Sequence, residues 1–417
     1  METFDHTTAE HASHWREILK DARATCPIVH SPRHGGYYVL TRYADVTAAL
    51  RDHKRFSSQR SWDDQGNDVM QGVAIPPQPI RVGFLEMDPP ESLKYRRLMN
   101  RWFTRGAIER GRGRIAEAAA WAVDRVIERG ECDIIDDLAS PFQCMVMLDL
   151  LGIPLDRGAK YKAIADRLTA QEPGALADIE WMRADLNQEF LRQKASGGGA
   201  GLIADLATTQ VDGAPLGDDM AAELLLMLLL GGEGTTIATI ANLLLHLARN
   251  PQDKARLSAD MTLLPGAVDE MMRYYAPSPG LARTVIDEVT IGGHTFVPGD
   301  RVLLSFASAN YDEDVFTDPG HVDITREHNP HLSFGAGAHR CIGSLLAKAN
   351  AETLLTEVLT RVPDFEIDMA RVKPYEHAAL SNGFFSVPMR YSPGVARGAA
   401  SDFPAFTAPG IAPEGLE

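Results

Sequence analysis

SFGAGAHRCIG, residues 333 to 343, runs straight into a helical pattern, IGSLLAKANAETLLTEVLTRV. Its three glycines, Gly335, Gly337 and Gly343, let the backbone turn tightly and pass close to a flat partner. Cys341 falls just before a helix N-terminus, whose partial positive charge favours the thiolate, the form of the thiol that binds metals. N–H groups exposed at such a turn can hydrogen-bond the sulfur and tune it, and Phe334 can shield it from water. A lone cysteine is more often a small buried hydrophobe than a ligand. The weight therefore rests on the surrounding pattern and on what accompanies it elsewhere in the chain.

The whole chain has 417 residues, 45% hydrophobic and 24% charged, which fits one large globular domain or two fused ones. The net charge of −16 excludes a general nucleic-acid binder, which would need clustered cations. The four cysteines, Cys26, Cys132, Cys144 and Cys341, are too scattered for a disulfide scaffold or a CxxC zinc site. They fit a reducing compartment, so a cytoplasmic location is expected. The N-terminus has no secretory pattern, and the longest apolar run, Ala221 to Leu230, is far short of the roughly 20 residues of a membrane span. No membrane and no nucleic-acid partner are expected.

Along the chain, residues 14–25 read as a helix, 37–43 as a strand and 44–53 as a helix. Residues 58–84 read as a long irregular loop of the kind that serves as a lid. A helical series follows Asp88-Pro-Pro. One long apolar helix covers about Asp218 to Arg249, and two more follow it. Strands separated by Gly-Gly and Pro-Gly turns fill TVIDEVTIGGHTFVPGDRVLLSF. Residues 395–417, rich in Ala, Gly and Pro, read as a disordered tail after a domain of residues 1–394. The fold class is mainly α with a minor β portion.

The cysteine loop resembles the haem-binding loop of the cytochrome P450 family, Phe-x-x-Gly-x-x-x-Cys-x-Gly, at Phe334, Gly337, Cys341 and Gly343. Other family features stand in the right order. Glu270-Met-Met-Arg273 resembles the Glu-x-x-Arg pair, a weak pattern alone because i,i+3 ion pairs are common. ANYDEDVFTDPGHVDITRE resembles the segment before the haem loop, and MDPPESLKYRRLMNRWFT resembles the third helix. The resemblance covers about residues 15 to 393. It implies a P450 fold, haem b between a long distal helix and the cysteine loop, and Cys341 as the iron ligand. It implies Arg96, Arg283 and His339 at the propionates, with Phe334, Gly335 and Gly343 beside the haem. It also implies a buried network of Glu270, Arg273 and Arg326.

The distal helix carries Gly231-Gly-Glu-Gly-Thr-Thr236, where the family has Ala/Gly-Gly-x-Asp/Glu-Thr-Thr. Gly231, Gly232 and Thr235 match. The acid position holds Gly234, and Glu233 stands one residue early, about 100° away around a helix. The resemblance makes Thr235, with Gly232, the group that steadies bound dioxygen and delivers protons through water. For Glu233 three readings stay open: a local helix bulge that lets it substitute, a water chain in its place, or a contact with another helix.

By position the resemblance lines the substrate pocket with Met227, Leu230, Gly231, Pro279, Leu281 and Phe384, mostly apolar. The implied activity is insertion of one oxygen atom of O2 into a hydrophobic molecule: terpenoid, steroid, aromatic or fatty acid. Electrons would come from a separate [2Fe-2S] ferredoxin with its reductase. Between Glu91 and Arg114 eight bases face two acids, a local reversal of sign suited to an acidic donor. Lys94, Arg97, Arg101, Arg105 and Arg340 form the expected docking patch. Two alternatives remain: peroxide-driven oxidation, which the missing acid favours and Thr235 disfavours, and a haem-binding sensor without turnover.

Overall fold

The structure is a computed structural model, and it describes residues 4–169, 174–199, 201–376 and 381–398. In chain order the first helices are α1 (Ala9–Thr25), α2 (Tyr43–Arg51), α3 (Glu91–Asn100), α4 (Arg105–Asp124), α5 (Ser140–Leu151), α6 (Gly158–Thr169) and α7 (Ala175–Ser196). Then come α8 (Gly201–Ala207), α9 (Asp218–Arg249), α10 (Pro251–Ala259), α11 (Leu264–Tyr275), the single turn α12 (Phe306–Ala309) and α13 (Ser344–Arg361).

α9 is the axis of the molecule. Asp218 and Asp219 occupy its first turn and His246 and Arg249 its last, each complementing the helix dipole. Leu224 to Leu229 and Ile237 to Leu247 are buried on all sides, the mark of a core helix. By length and apolar composition α9 would cross a membrane, but 72% of its most apolar window is buried inside the molecule. The apolar run is therefore longer than Ala221 to Leu230, because the glycines at 231, 232 and 234 do not interrupt the helix. α5, apolar nearly all round, lies against it and ends where Gly152 turns left-handed at φ 80.

Five strands form one sheet in the order 28–31, 37–40, 301–305, 280–285, 56–57. Arg301–Ser305 is its buried centre, parallel to Tyr37–Leu40 and antiparallel to Gly280–Val285. α1 covers one face and α2 the other.

The segment 58–84 is not the irregular loop the composition suggests. It contains a hairpin, Arg60–Trp62 against Asp68–Gln71, closed by Asp63, whose carboxylate accepts the N–H groups of Gln65 (2.9 Å) and Asn67 (2.8 Å). Beyond the hairpin, the fully buried Glu86 holds the chain by both oxygens. Oε1 accepts the Val73 N–H at 2.9 Å and Oε2 the Val82 N–H at 2.8 Å. Gly72, at φ +68, has no room for a side chain, because a Cβ would stand 2.1 Å from Glu86 Oε1. Arg81 then forks onto Glu223 of α9 at 2.6 and 2.8 Å, and the Val73 carbonyl accepts from Ala282 N–H at 2.7 Å. The segment is thus strung between the strand of Arg283 and the distal helix.

The expected tail lies outside the described residues from 399 onward. Just before it, the Arg397 N–H donates to both carboxylate oxygens of Asp124, at the end of α4, at 3.0 and 3.1 Å.

Candidate active site

The cysteine loop is built by glycine conformations and by one strut. Gly335 and Gly337 sit at φ +62 and +69, and a Cβ on Gly337 would come within 2.4 Å of the Leu50 carbonyl at the end of α2. Asn310 is the strut: its Oδ1 accepts the Leu332 N–H at 2.7 Å and its Nδ2 donates to Ser333 Oγ at 2.8 Å. The Cys341 N–H donates to the Phe334 carbonyl at 2.8 Å. Cys341 is exposed, yet burial is the largest influence on its thiol and raises it above the usual range. The two facts agree if the sulfur faces a slot inside the molecule. The Gly343 N–H bonds the sulfur and, with Arg96 and Arg340, favours the thiolate. The helix-end effect read from the sequence is therefore present but outweighed by desolvation; a bound cation would reverse that balance.

Behind this loop Glu270 and Arg273 form an ion pair with both side chains fully buried, at 2.7 and 2.8 Å. Arg326 adds a bond to Glu270 Oε2 at 3.0 Å, and Asn329 another at 3.1 Å. Arg273 also donates to the carbonyls of Asn310, Pro319 and His321 at 3.0, 2.9 and 3.1 Å. The network fixes α11 to the segment leading to Cys341. Asn310, Asn329 and Ser333 complete it, and no local spacing in the sequence marks their roles.

Three basic groups converge with no direct ion pair among the described residues, and Asp88 and Glu86 act on Arg283 only from a distance. Arg283 is 2% exposed, its guanidinium bonds the Ala282 carbonyl at 2.7 Å, and no ion pair reaches it among the described residues. Burial pulls its pKa down to about 10. Burial, followed by Arg283 and Arg96, drives His339 down to about 3, so both arginines lie within electrostatic reach of His339. Arg96 is itself lowered by burial and donates to the Arg340 carbonyl at 2.5 Å. Ser92, one turn before Arg96 on the same face of α3, has a buried hydroxyl with no partner. Its place four residues before Arg96 was the sequence signal that could have found it.

The long helix α9 also offers an open face. Gly231 and Gly234 would each project a Cβ into empty space, and Gly231 is exposed within a helix otherwise buried. Thr235 shares that face, being four residues from Gly231. Thr236 and Thr239 tie their hydroxyls back to the carbonyls of Gly232 (3.3 Å) and Thr235 (2.8 Å). No such bond holds Thr235 among the described residues. The helix is continuous and α-helical through 231–239, so no bulge rotates Glu233. Glu233 lies about 200° around the axis from both Gly231 and Thr235 and is 8% exposed. Gly232 does not face the slot alone: a Cβ there would strike Met147 of α5 at 2.8 Å.

Of the expected pocket residues, Met227 is buried and packs under Gly83, Leu230 and Phe384 are half-buried beside the main core, and Leu281 packs with the sheet. Pro279 lines a separate cavity of about 20 Å³ with Phe4, His6 and Trp15. The basic stretch is partly neutralised by acids distant in sequence. Lys94 pairs with Asp212 at 2.7 Å and with Glu91 at 2.9 Å, and Arg101 pairs with Asp205. Arg97, Arg105 and Arg340 are exposed and carry no ion pair among the described residues.

A cysteine sulfur in a slot, three bases without ion pairs, an orphaned hydroxyl and a bare helix face suit a flat, iron-bearing group with anionic arms. The comparisons agree. The sequence model of the cytochrome P450 family matches residues 179–386. The chain is 32% identical to a steroid C26-monooxygenase of Mycobacterium tuberculosis over 380 residues, 89% of this chain and 98% of that one. It is 33% identical to the cyclomarin C epoxidase CymV of Salinispora arenicola over 371 residues, covering 86% and 91%. Among solved structures, CYP108D1 of Novosphingobium aromaticivorans superposes with a TM-score of 0.80 at 27% identity, covering 94% and 99%. CYP109E1 of Bacillus megaterium, in complex with testosterone, gives 0.79 at 25% identity, covering 90% and 98%.

The chain belongs to the cytochrome P450 family, with the fold and the haem b cofactor of its bacterial members. It is a P450 monooxygenase, an oxidoreductase acting with O2 on hydrophobic molecules.

Proposed function

We propose that this enzyme hydroxylates a rigid, polycyclic apolar molecule of the steroid class, receiving electrons from a separate ferredoxin in the cytoplasm. The steroid reading is carried by one observation. Three relatives matched over 93–98% of their length are named steroid C26-monooxygenases, and a fold neighbour is solved with testosterone bound. Residues 1–394 form the working domain, with the remainder a tail.

Bound haem b supplies the activation of dioxygen. The chain's own residues do the rest. Cys341 binds the iron through sulfur, with the Gly343 N–H moderating the charge on that sulfur. Arg283, Arg96 and His339 hold the propionates; a ring nitrogen of His339 also lies 3.0 Å from Ser58 Oγ. Thr235 holds a proton at Oγ on the open face of α9, and water relays it, because the acid position is Gly234 and Glu233 faces away. Met227, Leu230 and Gly231 border the substrate, with Leu281 and Phe384 at its flank. Arg97, Arg105 and Arg340, free of ion pairs, meet the acidic donor; Lys94 and Arg101 contribute less, since acids already offset them.

The test is a spectral titration of the holoenzyme with steroids, terpenoids, aromatic acids and fatty acids, followed by turnover with NADH, ferredoxin and its reductase. Steroids should bind most tightly and yield hydroxylated product. Binding confined to another class would overturn the substrate reading. The glycine at 234 favours one rival, peroxide-driven oxidation; product formed with hydrogen peroxide and none with NADH would establish it.

A further inference from the structure

Two buried amides connect α13, the helix that follows Cys341, to the turn of α9 that presents Thr235. Asn350 on α13 is 0% exposed and Gln143 on α5 is 1% exposed. Asn350 Nδ2 donates to Gln143 Oε1 at 3.0 Å, and Gln143 Nε2 donates to the Gly232 carbonyl at 2.8 Å. The order of donors is forced. A carbonyl only accepts, so Gln143 must turn its NH2 toward Gly232, which leaves its oxygen for Asn350.

The two helices also meet closely beside this bond. A Cβ at position 232 would stand 2.8 Å from Met147 Cε and 2.9 Å from its Sδ, one turn along α5 from Gln143. Glycine at 232 leaves room for the tip of Met147, so α5 and α9 meet here without the flexible thioether having to move. The family resemblance places Gly232 beside the oxygen site. Its contacts give it a second role, as the point where α5 docks.

The Gly232 carbonyl already serves the α-helical ladder, in which the N–H of residue 236 is its partner. The Thr236 hydroxyl donates to it as well, at 3.3 Å. A further donor from outside the helix tilts such a carbonyl toward itself and ties the turn it closes to the neighbouring helix. That turn, 232–236, contains Thr235. No carboxylate stands at 234 to organise the open face, so the backbone of this turn sets where the Thr235 hydroxyl points.

We propose that Gln143, oriented by Asn350, is a positioning residue for the oxygen chemistry: its bond to the Gly232 carbonyl fixes the α9 turn that presents Thr235 and ties that turn to the helix behind Cys341. The proposal rests on Thr235 as the proton-delivering hydroxyl.

Two variants of the holoenzyme test it. Gln143→Leu removes the bridge. Gln143→Glu keeps its size, but a carboxylate only accepts, so the bond to Gly232 is lost while Asn350 can still donate; protonation restores a donor. The first readout is hydrogen exchange of the amides in 232–239, independent of turnover. The second is hydrogen peroxide released per NADH consumed, relative to the parent enzyme at each pH. Gln143→Leu should raise exchange there about fivefold, the factor one net hydrogen bond of about 1 kcal/mol is worth, and raise the peroxide share at every pH. Gln143→Glu should do the same at alkaline pH and return toward the parent as pH falls. Unchanged exchange in both variants overturns the proposal. So does a Gln143→Glu that never recovers, which would mean packing alone, and so does faster exchange without added peroxide. Thr235→Ala, run alongside, separates the two layers. If it too leaves peroxide release at the parent level, the reading of Thr235 has failed; if only the Gln143 variants do, the bridge has failed.

Discussion

Glu86→Gln asks whether one carboxylate holds the segment between the sheet and the distal helix. The two oxygens of Glu86 each accept a different backbone N–H, from Val73 at 2.9 Å and from Val82 at 2.8 Å, and the side chain is fully buried. An amide of the same size has one accepting oxygen. Its NH2 must face one of those N–H groups, donor against donor, and that group is left unmade. A buried unsatisfied donor costs about 1–3 kcal/mol. If the cost falls on local opening, the segment should open about 5- to 150-fold more often, at tenfold per 1.4 kcal/mol. The loss of charge adds to this, because the buried Arg301 and Arg60 lie beside Glu86 and Arg301 is already lowered to about 10. Hydrogen exchange of the Val73 and Val82 amides reads the opening directly, and a spectral titration reads its effect on substrate affinity. One of the two amides should lose protection while the α9 amides keep theirs. Full protection of both amides in the variant would refute the account of Glu86 as the latch.

Three further outcomes follow from the same geometry. Arg273→Leu leaves the buried Glu270 with Arg326 as its one cation and strands three backbone carbonyls; it should cost about 3 kcal/mol, seen as a lower melting temperature and a lower haem-to-protein ratio. His6 and His11, 5% and 9% exposed, are held by burial near pKa 4 against an ordinary 6.5. The folded state therefore binds fewer protons than the unfolded one in that window, and stability present above pH 6.5 should fall as pH drops toward 4, on the order of 3 kcal/mol per histidine. A melting temperature flat across that range would contradict it. Gly111 sits inside α4 with helical backbone and open space where a Cβ would go. Gly111→Ala should gain about 0.5–1 kcal/mol, read as a higher denaturation midpoint.

What could be read from the sequence was local or ordered along the chain. Phe334 to Gly343 announced the thiolate loop because its glycines and cysteine lie within one turn of backbone. Glu270, Arg273 and Arg326 could be anticipated because a strict order of segments carried them. Two kinds of feature stayed hidden. Pairings between distant residues left no trace in spacing: Lys94 with Asp212, Arg101 with Asp205, and the link from Asn350 through Gln143 to Gly232. The other kind was the outcome of opposing terms. The helix end and the Gly343 N–H favour the Cys341 thiolate, and only the depth of the slot shows that desolvation outweighs them. The segment 58–84 misled because glycine, proline and aspartate close a hairpin as readily as they fill a loop.

The five-stranded sheet has a consequence for how the chain is made. Its central strand, Arg301–Ser305, pairs with Tyr37–Leu40, more than 250 residues earlier in the sequence. Gly280–Val285, the strand on its other side, is also a late one. While the ribosome is producing the first half of the protein, the hairpin 28–31 with 37–40 has an open edge and nothing to fill it. Contacts so distant are slow to form and leave strand edges exposed to other chains in the interval. Expression should therefore be most sensitive to temperature and to chaperone supply in the interval before the strand that follows Arg283 has left the exit tunnel.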